Sequence, residues 1–379
     1  MSLLLNEEQS MLRESALAFL SERSPVSAMR SLLGAEHAAP GIDLWPDMVE
    51  LGWTAAALPE AHGGLGLGWA GMAALFEQMG RHLCTSALLH RAVLPGELIQ
   101  RLGSEEQKAN WLARIAAGDA RIAVALEESA RHDPHRVSLR ATARAEGGWT
   151  LQGRKPLVWD VTGAEVLLVL ARTAEAEASS GGLSLFFVPA NAPGLSVRSL
   201  KSVDGHPAGS LHLESLRVNA DALLGELNGA APGLDASLDR ARLCVAAELL
   251  GVIQEAFVRT LDYLRQRIQF GVPIGSFQAL QHRAARLHSE IEMLRSCVAA
   301  AAEAFDADAA DSATLVSLAK ARASDLSEKA LNEAVQMHGG IGVTHEFDIG
   351  LFLKRGRVLQ QMYGDGVFHR DRYAVLKGF

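Results

Sequence analysis

From about residue 235 the apolar residues fall at helical spacing as far as residue 336, and this leaves the chain few ways to fold. Leu243, Ala246, Leu250, Ile253, Phe257 and Leu264 recur mostly at threes and fours, which places them on one face of a long helix. Phe277, Leu280, Ala284, Leu287, Ile291, Leu294 and Phe305 continue the pattern. A third run over roughly 312–336 carries Leu315, Leu318, Leu326, Leu331 and Val335. Amphipathic helices this long, joined by short connections, bury their apolar faces on one another, so a four-helix bundle is expected over 231–379.

The first 120 residues also read as helical. The spacing predicts helices over 5–23, 68–83 and 104–119, with Ser104 as the N-cap of the last and Glu105 and Glu106 in its first turn. Between them, PEAHGGLGLG is a glycine-rich loop. Short runs over 149–152, 165–172, 183–190, 195–200 and 210–218 are separated by glycine- and proline-bearing turns. Leu211 and Leu213 alternate with polar neighbours, so these runs are strands of a compact β domain, a barrel or sandwich. The fold class is α+β: an N-terminal helical domain over 1–120, a middle β domain over 121–230 and the C-terminal bundle. With 379 residues the chain is too long for one ordinary core.

Charge and cysteine content narrow the function. A formal net charge of −8 opposes non-specific binding to nucleic acid. Cys84, Cys244 and Cys297 lie far apart with no metal-ligand spacing, a pattern that fits buried thiols in a reducing compartment. MSLLLNEEQ has only a short leucine run before acidic residues and is not read as a signal peptide. No run approaches the ~18 apolar residues of a membrane span. The expected location is the cytoplasm, with no membrane partner and no metal site.

The weaker motifs fall away on context. GLGWAG at 66–71 matches GxGxxG, but ALPEAHGG before it is no strand, so a dinucleotide fold is rejected in favour of a loop. HRD at 369–371 and HEFD at 345–348 lack the residues that would make a kinase or a metal site.

Three stretches remain. RQRIQFGVPIGSFQALQH (265–282) sets Arg265 and Arg267, with Arg283 just beyond, around a tight loop between two helices, and Ser276 is placed to cap the second helix. It is either an anion site at a helix N-terminus or a plain connector with surface arginines. QMHGGIG (336–342) ends a helix at Gly339 and Gly340, either as an ordinary C-cap or as a place where backbone approaches a ligand beside Gln336 and His338. In QQMYGDGVFHR (360–370), Asp365 sits between two glycines, as a turn residue or as a catalytic carboxylate.

Taken together, these stretches resemble the acyl-CoA dehydrogenase family. RIQFGVPIGSFQ is similar to its R-x-T/Q-F-G-x-x-I/L-x-x-x-Q segment and QMHGGIG to its Q-x-x-G-G-x-G segment. LGWTAAALPEAHGGLGLG resembles its G-W…P-E-x-x-G-G-x-G loop. The resemblance spans nearly the whole chain. It implies a homotetramer, or a heteromer with a homologous subunit, with one FAD per site and an acyl-CoA between the β domain and the C-terminal helices. A carboxylate removes the α-proton while hydride passes from the β-carbon to the flavin, giving the trans-2-enoyl-CoA. Electrons leave to an electron-transferring flavoprotein.

The resemblance also implies site residues. Arg267, Gln269 and Phe270 match positions that contact the FAD diphosphate and adenine side from a neighbouring subunit. Ile274, Phe277 and Gln278 match further cofactor-lining positions, as do Gln336, Gly339 and Gly340, with His338 among them. ALEES (125–129) stands for A-x-T-E-P and GRKPLVW (153–159) for G-x-K-x-W/Y-I/V-T/S, which puts Leu126, Glu127, Val158 and Trp159 near the isoalloxazine. Both stretches depart from the pattern, since Glu127 and Trp159 replace hydroxyls. A carboxylate there opposes a reduced anionic flavin unless it is protonated or turned away.

The base is the sharpest departure. Where the family has Y-E-G-T, this chain has Tyr363-Gly364-Asp365-Gly366, so the glutamate falls on Gly364, or on Asp365 with one inserted residue. The family's second base position, before Arg242, is Ala241. Asp365 is therefore the candidate base, and Arg242 either positions it or the substrate, or forms an ordinary helix salt bridge. The leading expectation is an FAD-dependent acyl-CoA dehydrogenase. The alternatives are a non-catalytic, cofactor-supporting subunit of a heteromeric enzyme and a flavin oxidase of the same fold.

Overall fold

A computed structural model describes residues 5–34, 43–174 and 181–379. The leucine run of the opening segment lies mostly outside them. The N-terminal part is helical: α1 (Glu7–Arg23), α2 (Val26–Gly34), α3 (Trp45–Glu50), α4 (Gly68–Arg81), α5 (Leu94–Leu102) and α6 (Glu105–Ala116). Asn6 caps α1 and Ser104 caps α6, each in a capping box with a glutamine at N3, Gln9 and Gln107. The GLGWAG stretch runs as a loop into α4, whose Trp69 and Ala70 amides donate to the carboxylate of Asp306.

The middle strands are β1 (Ile122–Ala125), β2 (Arg140–Ala143), β3 (Trp149–Trp159), β4 (Val166–Arg172), β5 (Leu183–Pro189), β6 (Leu195–Lys201), β7 (Pro207–Val218) and β8 (Leu223–Leu224). They form one sheet in the order β6-β7-β3-β2-β4-β5-β8, with β1 added parallel to β4. Leu167 to Ala171 are wholly buried in β4, as a strand covered on both faces requires.

The C-terminal part is α7 (Ala230–Gln266), a hairpin of β9 (Ile268–Gln269) and β10 (Val272–Pro273), α8 (Gln278–Asp306), α9 (Ser312–His338), α10 (Ile349–Gln361) and α11 (Gly366–Leu376). The helix–sheet–helix order is the one the periodicity implies. One detail differs. Ser276 does not cap α8; residues 274–276 form a short 3-10 turn, and the Ser276 hydroxyl donates back to the Pro273 carbonyl.

α7 is the axis of the molecule, buried without a break from residue 237 to 253. It reaches this depth partly because glycine lets backbone meet backbone at its crossing with α4. A Cβ on Gly80 would lie 2.0 Å from the Glu248 carbonyl oxygen, and one on Gly251 2.0 Å from that of Glu77. Buried Glu248 takes two hydrogen bonds from Arg355 of α10, at 2.6 and 2.8 Å. Arg355 also donates to Asp204, in the loop between β6 and β7, at 2.7 Å, and to Nδ1 of His206 at 2.9 Å. This one guanidinium thus ties the sheet to two helices. Burial alone would raise the Asp204 carboxyl, but His206 and Arg355 hold it far below the ordinary carboxylate range.

Arg355→Met should therefore lower stability by about 3–5 kcal/mol, since it leaves the buried Glu248 carboxylate without its partner and Asp204 with only His206 and Ser202. Urea unfolding followed by far-UV circular dichroism measures this. Because the Asp204 value is depressed in the fold, the stability it lends is present above the unfolded carboxylate range and is lost only as pH falls towards the folded value. The deficit of the variant should shrink on acidification.

Candidate active site

The residues singled out from sequence fall into two groups at different places on α7. The first surrounds its C-terminal end. Arg267 ends α7 and stands exposed, followed by the β9–β10 hairpin with Gln269 and Phe270. Phe270 is 92% exposed, with a left-handed φ of 56°, and its ring meets that of Phe277 edge-on at 6.2 Å. Ile274 packs against the core, and Gln278 opens α8 with its side chain exposed. The end of α9 adjoins this surface. His338 stacks on Tyr263 of the last turn of α7, with ring centroids 4.4 Å apart, and bonds the Ala334 carbonyl through Nδ1. His338 thus faces inward, whereas Gln336, Gly339 and Gly340 are exposed. A Cβ at Gly339 or Gly340 would meet nothing within 4 Å. Packing within this chain therefore does not explain the bare backbone at Gly340, and at Gly339 only the φ of 66° does.

The second group lies at the junction of the sheet with α7 and α11. The isolated bridge Glu127–Leu157 sets the two departures from the family pattern side by side. Both are engaged. Trp159 stacks on His90, centroids 5.8 Å apart and 18° from parallel, and His90 Nδ1 lies 2.9 Å from the Asp160 carboxylate. Glu127 lies 2.6 Å from His132 Nδ1, and His132 Nε2 lies 3.1 Å from the Arg242 guanidinium. A guanidinium can only donate, so Nε2 accepts and Nδ1–H donates to Glu127, leaving the imidazole neutral. Burial pulls the His132 pKa down, in agreement. Leu126 and Val158 are buried beneath this layer.

Tyr363 closes the junction. Its ring is buried 6.2 Å from that of His90 and 6.3 Å from that of His132. Its carbonyl accepts from Arg242 Nε at 3.1 Å. Arg242 also forms the i,i+3 ion pair with Asp239 at 2.9 Å, so it is both a helix salt bridge and a brace for this segment. Gly364 has a φ of 111°, and a Cβ there would lie 2.4 Å from Phe368 and 2.8 Å from His369. The Asp365 carboxylate caps α11, accepting from the Phe368 amide at 2.8 Å. It also borders a cavity of about 210 Å³ with Ala130, Arg131, His132 and Phe368. Ala241 is fully buried.

Four residues here escaped the sequence reading. His90, Asp160 and His132 carry no local motif. Lys155, fully buried 2.7 Å from Glu128, could have been found, since it shares the inward face of β3 with Leu151.

The two groups cannot serve one flavin within one chain. Arg242 lies on α7 and Arg267 is its C-cap, 25 residues further on, which at about 1.5 Å per residue is about 37 Å.

Sequence comparison matches the family descriptions of the acyl-CoA dehydrogenase N-terminal domain at residues 6–119, middle domain at 123–216 and C-terminal domain at 234–374. Over 365 residues the chain is 31% identical to the acyl-CoA dehydrogenase FadE12 of Mycobacterium tuberculosis, covering 94% of this chain and 92% of that protein. Among solved structures it is similar to the Tcur3481–Tcur3483 steroid ACAD, at 32% identity, TM-score 0.85 and 98% coverage of both chains. It is also similar to the ChsE4–ChsE5 complex from Mycobacterium tuberculosis, at 25% identity, TM-score 0.88 and full coverage of both chains. The chain belongs to the acyl-CoA dehydrogenase family of flavoprotein oxidoreductases.

Two glycines offer a direct contrast. Gly364→Ala should cost about 1–3 kcal/mol of stability through backbone strain and collision with Phe368. Gly340→Ala, which meets open space, should stay within about 0.5 kcal/mol. Thermal melts of the two variants check both.

Proposed function

We propose that this chain serves the FAD-dependent α,β-dehydrogenation of an acyl-CoA thioester to the trans-2-enoyl-CoA, as the cofactor-supporting subunit of a heteromeric acyl-CoA dehydrogenase. The observation that carries this reading is the division of α7. Its C-terminal end offers an open cofactor surface, while the junction about 37 Å away is filled by the chain's own side chains.

The open end fits a dinucleotide. Arg267 supplies a cation for the diphosphate, and the bare backbone at Gly339 and Gly340 allows close approach. Phe270 and Phe277 supply exposed rings. A second chain would bury this apolar surface and complete the site. The junction fits an isoalloxazine poorly, because Trp159 and His90 stack in it and Glu127 adds a carboxylate. A Cβ at Gly364 would collide with Phe368 and His369, and one oxygen of Asp365 caps α11.

A flavin held between the Arg267 end of this chain and its partner would supply the acceptor for the β-hydride, and a carboxylate of the homologous partner would take the α-proton. Electrons then leave to an electron-transferring flavoprotein. Two of the similar structures are named as two-component proteins, which supports a heteromer. The free thiols of Cys84, Cys244 and Cys297 suit a cytoplasmic location.

One observation favours a second reading, a homotetramer with Asp365 as base: its carboxylate does border a cavity.

Flavin absorbance separates the two. Expressed alone, the chain should purify colourless; with its homologous partner it should give a yellow complex holding one flavin per pair of chains. In that complex Arg267→Ala should weaken flavin retention about tenfold or more, the loss of a charge-assisted hydrogen bond. Asp365→Asn should leave anaerobic bleaching by acyl-CoA unchanged. If the chain alone is yellow, and Asp365→Asn abolishes its bleaching, the subunit reading fails and the homotetramer stands.

A further inference from the structure

The loop between β1 and β2 is pinched shut at its base. The Glu128 carboxylate accepts from the amides of Ser138 and Leu139 at 2.6 and 3.1 Å, and from the buried Lys155 ammonium at 2.7 Å. Residues 129–137 therefore leave and rejoin the sheet at one point, as a compact surface loop does. Ala130, Arg131 and His132 form one wall of the cavity of about 210 Å³, opposite Gln361, Asp365 and Phe368. The loop is a strap across this cavity.

Two histidines fasten the strap to α7, in opposite ways. His132 accepts at Nε2 from the Arg242 guanidinium at 3.1 Å and donates from Nδ1 to Glu127 at 2.6 Å. A second proton on that ring would sit on Nε2 and point at a group that can only donate. Protonation therefore breaks this fastening. Arg242 is not stranded by the break, because Asp239 and the Tyr363 carbonyl remain its partners at 2.9 and 3.1 Å. His135 instead donates from Nε2 to the Asp235 carboxylate at 3.0 Å. Its Nδ1 has no hydrogen bond among the described residues. A proton there displaces no donor, and the added charge strengthens the bond to Asp235.

We propose that residues 129–137 are a strap over the cavity beside Asp365, held by one histidine that must be neutral, His132, and one that holds best as a cation, His135, so that it is firmest in a limited pH range and loosens on either side. The groups facing the two rings come from every packed element. Glu127 and Asp133 lie in the same loop, Asp235 and Arg242 on α7, and Lys320 on α9. Asp365 and Asp371 of the α11 segment share the cavity with His132, and Arg172 of β4 donates to the His135 carbonyl at 2.9 Å. Burial pulls the His132 pKa below its ordinary 6.5, and Arg242 and Lys320 add to this against the pull of Glu127. The bond to Asp235 raises that of His135 above the same value, with Asp133 adding to it and burial and Arg242 opposing.

The signs follow from linkage. His132 lends the closed strap stability that is present above 6.5 and lost as pH falls towards its lower folded value. His135 lends stability that is present below 6.5 and lost as pH rises through its higher folded value. The strap is therefore firmest near 6.5. Opening it uncovers the Asp365 side of the cavity. The proposal concerns the strap alone and holds whichever chain of the assembly carries the flavin.

Hydrogen exchange with mass spectrometry on the full chain in its assembly tests it. The reporters are the amides of His135, Arg136 and Val137, which are hydrogen-bonded within the strap. After correction for intrinsic exchange, their opening constant should pass through a minimum near pH 6.5. On the acid side it should rise by up to about tenfold per pH unit. On the alkaline side it should rise about twofold to fivefold in all, since the His135–Asp235 pair is partly exposed. His132→Gln removes the titrating ring but keeps an oxygen for Arg242, so the acid limb should vanish and the alkaline limb stay. His135→Gln should do the reverse. A wild-type constant that is flat between about pH 5 and 8, or that changes in one direction only, overturns the proposal. So does either limb surviving in its own variant. If His132→Gln does not fold, the wild-type profile and His135→Gln decide the matter.

Discussion

A helix buried on every face yet carrying charge obliges everything around it to supply a counter-charge, and α7 is such a helix. Asp239, Arg240, Arg242 and Glu248 all lie in its buried stretch. Each has a partner on a different element. Asp239 takes Arg372 of α11 at 2.8 Å, and Glu248 takes Arg355 of α10 at 2.6 Å. Arg240 lies 3.6 Å from Glu97 of α5, and Arg242 reaches His132 of the β domain. Removing one partner from such a buried pair costs far more than the pair itself contributes, so the penalty for misplacing any neighbour is high. The apolar faces explain why the helices associate; the charges explain why they associate in one arrangement.

That arrangement also separates the functional surfaces. Because α7 runs straight from the junction to the hairpin, binding determinants at its two ends cannot meet within one chain. A cofactor that needs both must lie across two chains, with one providing the cleft and the other the arm. Evolution can then alter the two halves independently. In this chain the C-terminal end of α7 carries an exposed arginine, rings and bare glycine backbone, while Trp159, His90 and Tyr363 pack together at the junction. The side chains at the junction form hydrogen bonds and stacks of their own.

The helical and sheet segments were legible because their signals are local. Apolar spacing places α7, α8 and α9, and Ser104 with Gln107 announces the start of α6. The arm was legible because its residues are contiguous in sequence. The junction was not, since its contacts join residues far apart: His90 with Asp160, Glu127 with His132, and His132 with Arg242. Asp365 illustrates the difficulty. Sequence frames a choice between turn residue and base, and cannot display that the folded carboxylate both caps α11 and borders a cavity. Ser276 fails for a related reason, because a hydroxyl two residues before a helix start can satisfy the preceding turn instead.

The segment from Tyr363 to Asp365 is held through its backbone. Its unusual backbone conformation, with positive φ at Tyr363 and Gly364, is held by groups that bind main-chain carbonyls. Arg242, His369 and Lys320 do this here through the oxygens of Tyr363 and Gly364. Those contacts do not depend on which side chain the segment carries. The brace therefore fixes the backbone and leaves the side chains of the segment free to differ. What then distinguishes a working cleft from a closed one is the identity of the few side chains the brace presents, and those residues carry the least local signal in the sequence.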